Sequence, residues 1–278
     1  MKIKKLFVIT FIFSLMFLLS ISSNVLARDA QSTEVHILDT GQSDCILIKG
    51  RENILIDTGA IGLGNYIMNY LKQNNVEDID YIIITHYHDD HYGSLIDICD
   101  RMEVKNVLLP MHKNKNRDIL YKELFNKNIK VKFIYNNWEL NNEEIKLKAI
   151  LPIKVDEKIE NNNSIVLQGT IEGINYMFMG DAEKEEERTL KEVEIKPCDI
   201  LKIGHHGLDT STSRYLLKLL KPKIALITCD GKESPDSRVI KNLERLNCKV
   251  YRTDKQGAII IRGRDYKNIE IKAENMLE

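Results

Sequence analysis

Three histidines and two aspartates fall within six residues, His86 to His91, in the stretch YIIITHYHDDHYG, although the whole chain holds seven histidines. His86 and His88 lie two apart, and in an extended backbone that spacing turns both imidazoles to one side, where both can hold one ion. Asp90 and His91 fall in the next turn and can reach a neighbouring ion. Imidazole and carboxylate together suit zinc, manganese or iron and leave positions open for water. The competing reading is a solvated polar loop after a strand. The cluster supplies four ligands, so a two-metal site needs more from elsewhere.

Three further stretches share the same grammar, an apolar strand that ends in metal-type residues. MFMGDAEKEEE ends in Asp181, which also reads as an ordinary helix N-cap with an acidic first turn. LKIGHHGLDTST delivers His205 and His206 into a loop. LIDTG ends in Asp57, either a turn aspartate or a carboxylate that orients a metal-bound histidine. Strand ends on one edge of a sheet converge on a shared site. Lys113, Lys115 and Arg117 are expected in a polar loop, either to meet an anionic substrate or as a solvated charge run.

The elements that must position these groups alternate along the chain. Short β runs around VHIL, CILIKG and NILID precede a helix near 63–73 and the strand YIIIT. A second unit carries a helix near 95–101, the strand NVLLP, a helix near 119–126 and the strand KVKFIY. The middle, 138–179, reads as successive strands, and strands and helices then alternate to the end. The pattern predicts one layered α/β domain with large mixed sheets over residues 28–278.

The start, MKIKKLFVITFIFSLMFLLSISSNVLARDA, has Lys2, Lys4 and Lys5 ahead of an apolar run and small residues before Ala27. These are the parts of a secretory signal peptide spanning 1–27. The alternative is a retained anchor, since roughly 16 apolar residues approach the length a bilayer requires. Removing those three lysines from 40 basic residues leaves 37 against 41 acidic ones, a charge of about −4, which argues against a strongly cationic nucleic-acid glove while leaving room for a local basic patch. The five widely spaced cysteines read as small buried hydrophobes, not as a disulfide framework.

The chain resembles the metallo-β-lactamase fold superfamily, whose signature HxHxDH stands here as His86, His88, Asp90 and His91. Within it the chain looks most like the extracellular domain of DNA-uptake competence proteins and related secreted phosphodiesterases, through VHILDTGQSDCILI, NNNSIVL, MGD, LKIGHHG and YRTDKQGAIII. The resemblance implies a four-layer αββα sandwich of two mixed β-sheets with two divalent ions, zinc or manganese, at one edge. It assigns His86 and His88 to the first ion, Asp90, His91 and His205 to the second, and Asp181 to both. Asn161-Asn162-Asn163-Ser164 stands where many members place a single histidine. That leaves the first position to His86, His88, Asp181 and water, and keeps occupancy by a single metal open. Asp57, Ser164, His206 and Lys113 are the neighbouring or substrate-facing candidates. Two departures, Leu208 after HHG and Ser234 before Pro235, bear on substrate contacts and not on the ligands.

The expected activity is that of a secreted metal-dependent phosphodiesterase acting on nucleic acid or on a cell-envelope phosphodiester. Such a site can bring the pKa of bound water to near 7, with Asp90 as the proton acceptor. The alternatives are a hydrolase of cyclic amides or lactones and a non-catalytic metal-binding envelope module. No obligate protein partner is expected, and contact with a membrane only through a retained leader.

Overall fold

The computed structural model describes residues 32–274; the expected secretory segment lies outside them. The β-branched runs form two sheets. The first contains β1 (Glu34–Ile37), β2 (Ile46–Lys49), β3 (Ile54–Ile56), β4 (Asp78–Ile83), β5 (Glu103–Pro110), β6 (Lys130–Ile134), β14 (Ile259–Arg262) and β15 (Glu270–Ala273), in the order β15-β14-β1-β2-β3-β4-β5-β6. The second contains β7 (Glu139–Asn141), β8 (Ile145–Leu151), β9 (Val166–Ile171), β10 (Ile174–Phe178), β11 (Ile200–Lys202), β12 (Ile224–Ile227) and β13 (Lys249–Arg252), in the order β13-β12-β11-β10-β9-β8-β7.

Both sheets are mixed. β3 to β6 run parallel in one and β10 to β13 in the other. Parallel strands buried on both faces need continuous apolar sequence, which explains runs such as Ile82-Ile83-Ile84 and Ile224-Ala225-Leu226-Ile227. One apolar layer joins the facing sheets, with Ile37, Ile48 and Ile83 from the first and Leu167, Tyr176 and Phe178 from the second. Outside the first sheet, Leu47, Ile82 and Val107 pack beneath α1 (Gly64–Gln73), α3 (Leu95–Arg101) and α4 (Lys115–Asn126). Outside the second, Leu201 and Ala225 pack beneath α6 (Arg214–Leu220) and α7 (Ser237–Glu244). The arrangement is the expected αββα sandwich. Each fully buried Leu or Ile contributes about 1.5–3 kcal/mol, so all three layers are needed to offset the ordering of the chain.

One local expectation changes, and two further details emerge. The stretch around Lys115 and Arg117 is not a loop but the first turn of α4, begun by Asn114, whose side chain accepts from Asn116 N. The asparagine run is a 3₁₀ turn, Glu160–Asn163, because Asn162 and Asn163 both hydrogen-bond to Asp156. The terminal strand β15 alternates Glu and Lys with apolar residues, as a sheet edge does. All five cysteines are free, and all but Cys99 are buried. Among the described residues no helix is long and apolar enough to cross a membrane.

A short helix, α5 (Lys184–Glu187), holds two buried glutamates. Glu187 accepts Ser213 N at 2.9 Å and Thr212 N, tying the loop before α6 in place. Glu186 is less well partnered, and burial pushes its pKa up to about 7 from 4.5. A group whose folded pKa is raised contributes stability in full below its unfolded value and loses it as pH rises through the folded one. Glu186→Gln is therefore expected to unfold at a higher urea midpoint than the parent at pH 8, with the advantage gone at pH 4; parallel midpoint-versus-pH curves would contradict this.

Candidate metal centre

The C-terminal ends of β3, β4, β10, β11 and β12 carry Asp57, His86, Asp181, His206 and Thr228. β2 runs antiparallel to β1 and β3, so Asp44, just ahead of it, joins the same end. After β4, the chain passes through Thr85 and His86 into α2 (Asp89–Tyr92), which places Asp90 and His91. Backbone bonds pin this loop to its neighbours: Asp57 N donates to Ile83 O at 2.8 Å and Thr58 N to His91 O at 2.6 Å.

Asp57 adopts a left-handed conformation, φ 61°, that aspartate tolerates better than most residues. Its Oδ1 accepts Thr85 N at 2.7 Å. Its Oδ2 accepts both Thr85 Oγ1 and His91 Nδ1 at 2.7 Å. The carboxylate thus fixes the His91 proton on Nδ1 and turns Nε2 inward. That Nε2 is buried and has no hydrogen-bond partner. It lies 3.3 Å from Asp181 Oδ2 and 3.6 Å from Asp90 Oδ2. A bare imidazole nitrogen aimed at two carboxylates fits a cation between them.

His206 completes that position. Its Nε2 is 3.3 Å from Asp90 Oδ2 and 3.7 Å from Asp181 Oδ2. Its Nδ1 faces Thr228 Oγ1 at 3.3 Å and Asp44 Oδ1 at 3.5 Å. Asp44 is itself held by Lys202, whose fully buried Nζ donates to Asp44 Oδ2 at 2.8 Å and to Ile203 O at 2.9 Å. Thr228 Oγ1 donates to the other Asp44 oxygen. The donor atoms of Asp90, His91, Asp181 and His206 lie within 4.8 Å of one another.

Asp181 is the shared group. Its backbone N donates to Ser164 Oγ at 3.0 Å, and its Oδ1 accepts His205 N at 3.1 Å. Oδ2 is left to face His91 and His206 on one side and His86 Nε2, 4.0 Å away, on the other. His86 Nδ1 is 3.1 Å from Thr85 Oγ1, and His86 Nε2 is 3.1 Å from His88 Nδ1. These inward nitrogens make a second position, sparer than the first because Asn161 to Ser164 offer no imidazole.

The charges agree with this division. Burial opposes a charge on His91, yet Asp181 and Asp57 hold its pKa well above the usual histidine range. Burial and the neighbouring His91 charge push His86 well below it. Asp181 is held well below the carboxylate range against its burial, by His91 and His206. Protons bound at His91 and His206 stand where a cation would, so metal binding should release them.

His205, expected as the last ligand, is placed differently from His206. Both residues are left-handed, with φ 46° and 52°, and their rings diverge. His205 Nδ1 meets Thr210 Oγ1 at 2.7 Å, while Nε2 stays 4.0 Å from Asp181 Oδ2 at the rim. His206 instead turns inward, and the following Gly207 packs on Pro235, which would lie 2.8 Å from a Cβ at Gly207. Among the remaining candidates, Ser164 supports Asp181 as described. Lys113 lines a separate surface cleft with Met111, His112 and Tyr135. Arg117 is spent on Met111 O, His112 O and Asp118. His112 pairs with Glu160, which also accepts Tyr87 N and so ties the histidine loop to the asparagine turn.

Asp44, Thr85, Thr228 and Lys202 were not anticipated. Lys202 did leave a signal, since a lysine inside the apolar strand DILKIG must find a partner when buried.

The family model "Metallo-beta-lactamase superfamily" matches residues 38–232. ComE operon protein 3 of Bacillus subtilis is 28% identical over 84% of this chain and 33% of its own length. Recombination protein 2 of Haemophilus influenzae is 26% identical over 81% of this chain and 28% of its own. The chain therefore spans about a third or less of the curated relatives it matches. The solved metallo-beta-lactamase fold protein YhfI from Bacillus subtilis, 11% identical, superposes with a TM-score of 0.58 over 84% of this chain and all of its own. On the family match and on this fold, the chain belongs to the metallo-beta-lactamase superfamily.

Proposed function

We propose that the chain is a metal-dependent phosphodiesterase that works outside the cytoplasm, on nucleic acid or on a phosphodiester of the cell envelope. The observation that carries the reading is the buried His91 Nε2, turned inward by Asp57 without a hydrogen-bond partner and aimed with His206 and His86 at one oxygen of Asp181. His86, His88 and Asp181 would hold one divalent ion, zinc or manganese, and Asp90, His91, His206 and Asp181 the other. Bound there, such ions supply Lewis acidity and lower the pKa of water. The chain's own part is orientation and proton handling. Asp57 keeps the proton on His91 Nδ1, and Asp44 with Thr228 steers His206. Asp90, whose side chain is 30% exposed, is the carboxylate of the cluster with access to solvent and serves as proton acceptor.

The names of the relatives, one from a competence operon and one a recombination protein, support nucleic acid as the substrate class. The basic, apolar start of the sequence supports export. The sparer His86–His88 position favours a centre that fills unequally, with the Asp90, His91, Asp181 and His206 position filling first. The test is hydrolysis of bis-p-nitrophenyl phosphate by the full chain loaded with Zn²⁺ or Mn²⁺. Turnover that tracks bound metal supports the proposal, whereas a metal-loaded chain that turns over no phosphodiester refutes it.

A further inference from the structure

Beside the metal centre, α6 and α7 lie over the second sheet with Leu216, Leu217, Val239 and Leu243 turned inward. Their outer faces border an open groove of about 480 Å³ lined by Lys184, Arg214, Arg238, Lys241 and Arg245, against a single acid, Asp209. The chain as a whole has a formal charge of −1, so this concentration of cations is local. Arg238 is paired with Asp209 at 2.8 Å and with Asp236 at 3.0 Å, and Asp209 partly neutralises Lys184 at 3.5 Å. Arg214, Lys241 and Arg245 have no carboxylate within ion-pair distance among the described residues, and Arg214 Nε instead meets Asn242 Oδ1 across the two helices at 3.2 Å. Cations left without partners on a folded surface favour an anionic ligand.

Hydrogen bonds link the groove to the centre. Lys184 N donates to Thr210 O at 3.0 Å, and Thr210 Oγ1 meets His205 Nδ1 at 2.7 Å. The His205 ring in turn stands 4.0 Å from the shared Asp181 oxygen. A polymer whose reacting phosphate sits on the centre would thus lay its next phosphates along the cations.

We infer that the groove between α6 and α7 is a track for single-stranded nucleic acid leading to the metal centre. This rests on the phosphodiesterase reading and names its substrate. Three of the five cations are arginines, whose planar guanidinium can both grip phosphate and stack on a base. A second depression, lined by Arg214, Leu217, Arg245 and Leu246, adjoins the first. Leu246 is 41% exposed there and offers an apolar face to a base. A polyol phosphate has no flat face to use such a surface, and a duplex keeps its bases stacked away from it.

The test measures fluorescence anisotropy of a fluorescein-labelled phosphorothioate single strand with the metal-loaded full chain, across a salt series. Arg214→Glu/Arg245→Glu is expected to weaken binding at least about tenfold at low salt and to lower the salt slope by about two. Its circular-dichroism spectrum and urea midpoint should match the parent's, which shows that it folds. Lys72→Glu, on α1 outside the other sheet, should leave binding as it was. Undetectable binding by the parent chain, equal binding by the double variant, or stronger displacement by a teichoic acid polymer than by unlabelled oligonucleotide would overturn the track. A chain that binds the oligonucleotide with this charge dependence but turns over no phosphodiester would uphold the track and refute the phosphodiesterase reading.

Discussion

Asp181→Ala is expected to lose both metal ions and to lower phosphodiester turnover by about three orders of magnitude, several kcal/mol of transition-state stabilisation. The expectation follows from how the carboxylate is spent. Oδ1 is committed to His205 N, so Oδ2 alone faces His91 at 3.3 Å, His206 at 3.7 Å and His86 at 4.0 Å. Asp57 and Asp44 cannot substitute, because Asp57 is occupied by Thr85 and His91 Nδ1, and Asp44 by Lys202 and Thr228. Asp181→Asn separates charge from shape: it keeps an oxygen in place but removes the charge that holds His91 and His206 protonated or metal-bound. Metal analysis and turnover should fall together in both variants. Retention of two ions by the alanine variant would contradict the shared role.

Lys202→Met is expected to destabilise the chain by about 3–5 kcal/mol, since it strands the buried Asp44 carboxylate without its cation. Both side chains are almost wholly shielded from water, 0% and 2% exposed. Removing the pair together, as Lys202→Met/Asp44→Leu, should return most of that stability, because well-packed apolar residues commonly replace a buried ion pair at little cost. Function should not return with it. Without Asp44 nothing but Thr228 steers His206 Nδ1, and loss of such a supporting group typically costs about 10–100-fold in metal affinity. Urea midpoints for both variants, set beside zinc affinity, separate the two contributions. A double variant with parental zinc affinity would show that Asp44 does not orient His206.

The histidine cluster was legible because its residues are local: spacing along one loop sets which rings share a side. Asp181 was legible as a carboxylate at a strand end, and a layered α/β domain with mixed sheets was legible from the alternation of strands and helices, while the four-layer sandwich followed only from the family resemblance. The pairing of Asp44 with Lys202 was not, because 158 residues separate them and only the meeting of the two sheets brings them together. The different placements of His205 and His206 were also out of reach. Two adjacent histidines have the same composition and nearly the same position, and what distinguishes them is a pair of left-handed residues followed by Gly207 packed on Pro235. Sequence spacing carries no sign of φ at a non-glycine residue. The start of α4 was missed for a related reason, since lysine and arginine in a first helical turn oppose the helix dipole and read as loop.

The central claim is that the fuller metal position is built from Asp90, His91, Asp181 and His206, with His205 on the rim. Its most direct test is the bound-metal content, by elemental analysis, of purified His206→Ala and His205→Ala loaded side by side with the parent chain. His206→Ala is expected to lose an ion while His205→Ala keeps the parental content. Loss of an ion from His205→Ala with full retention by His206→Ala would contradict it.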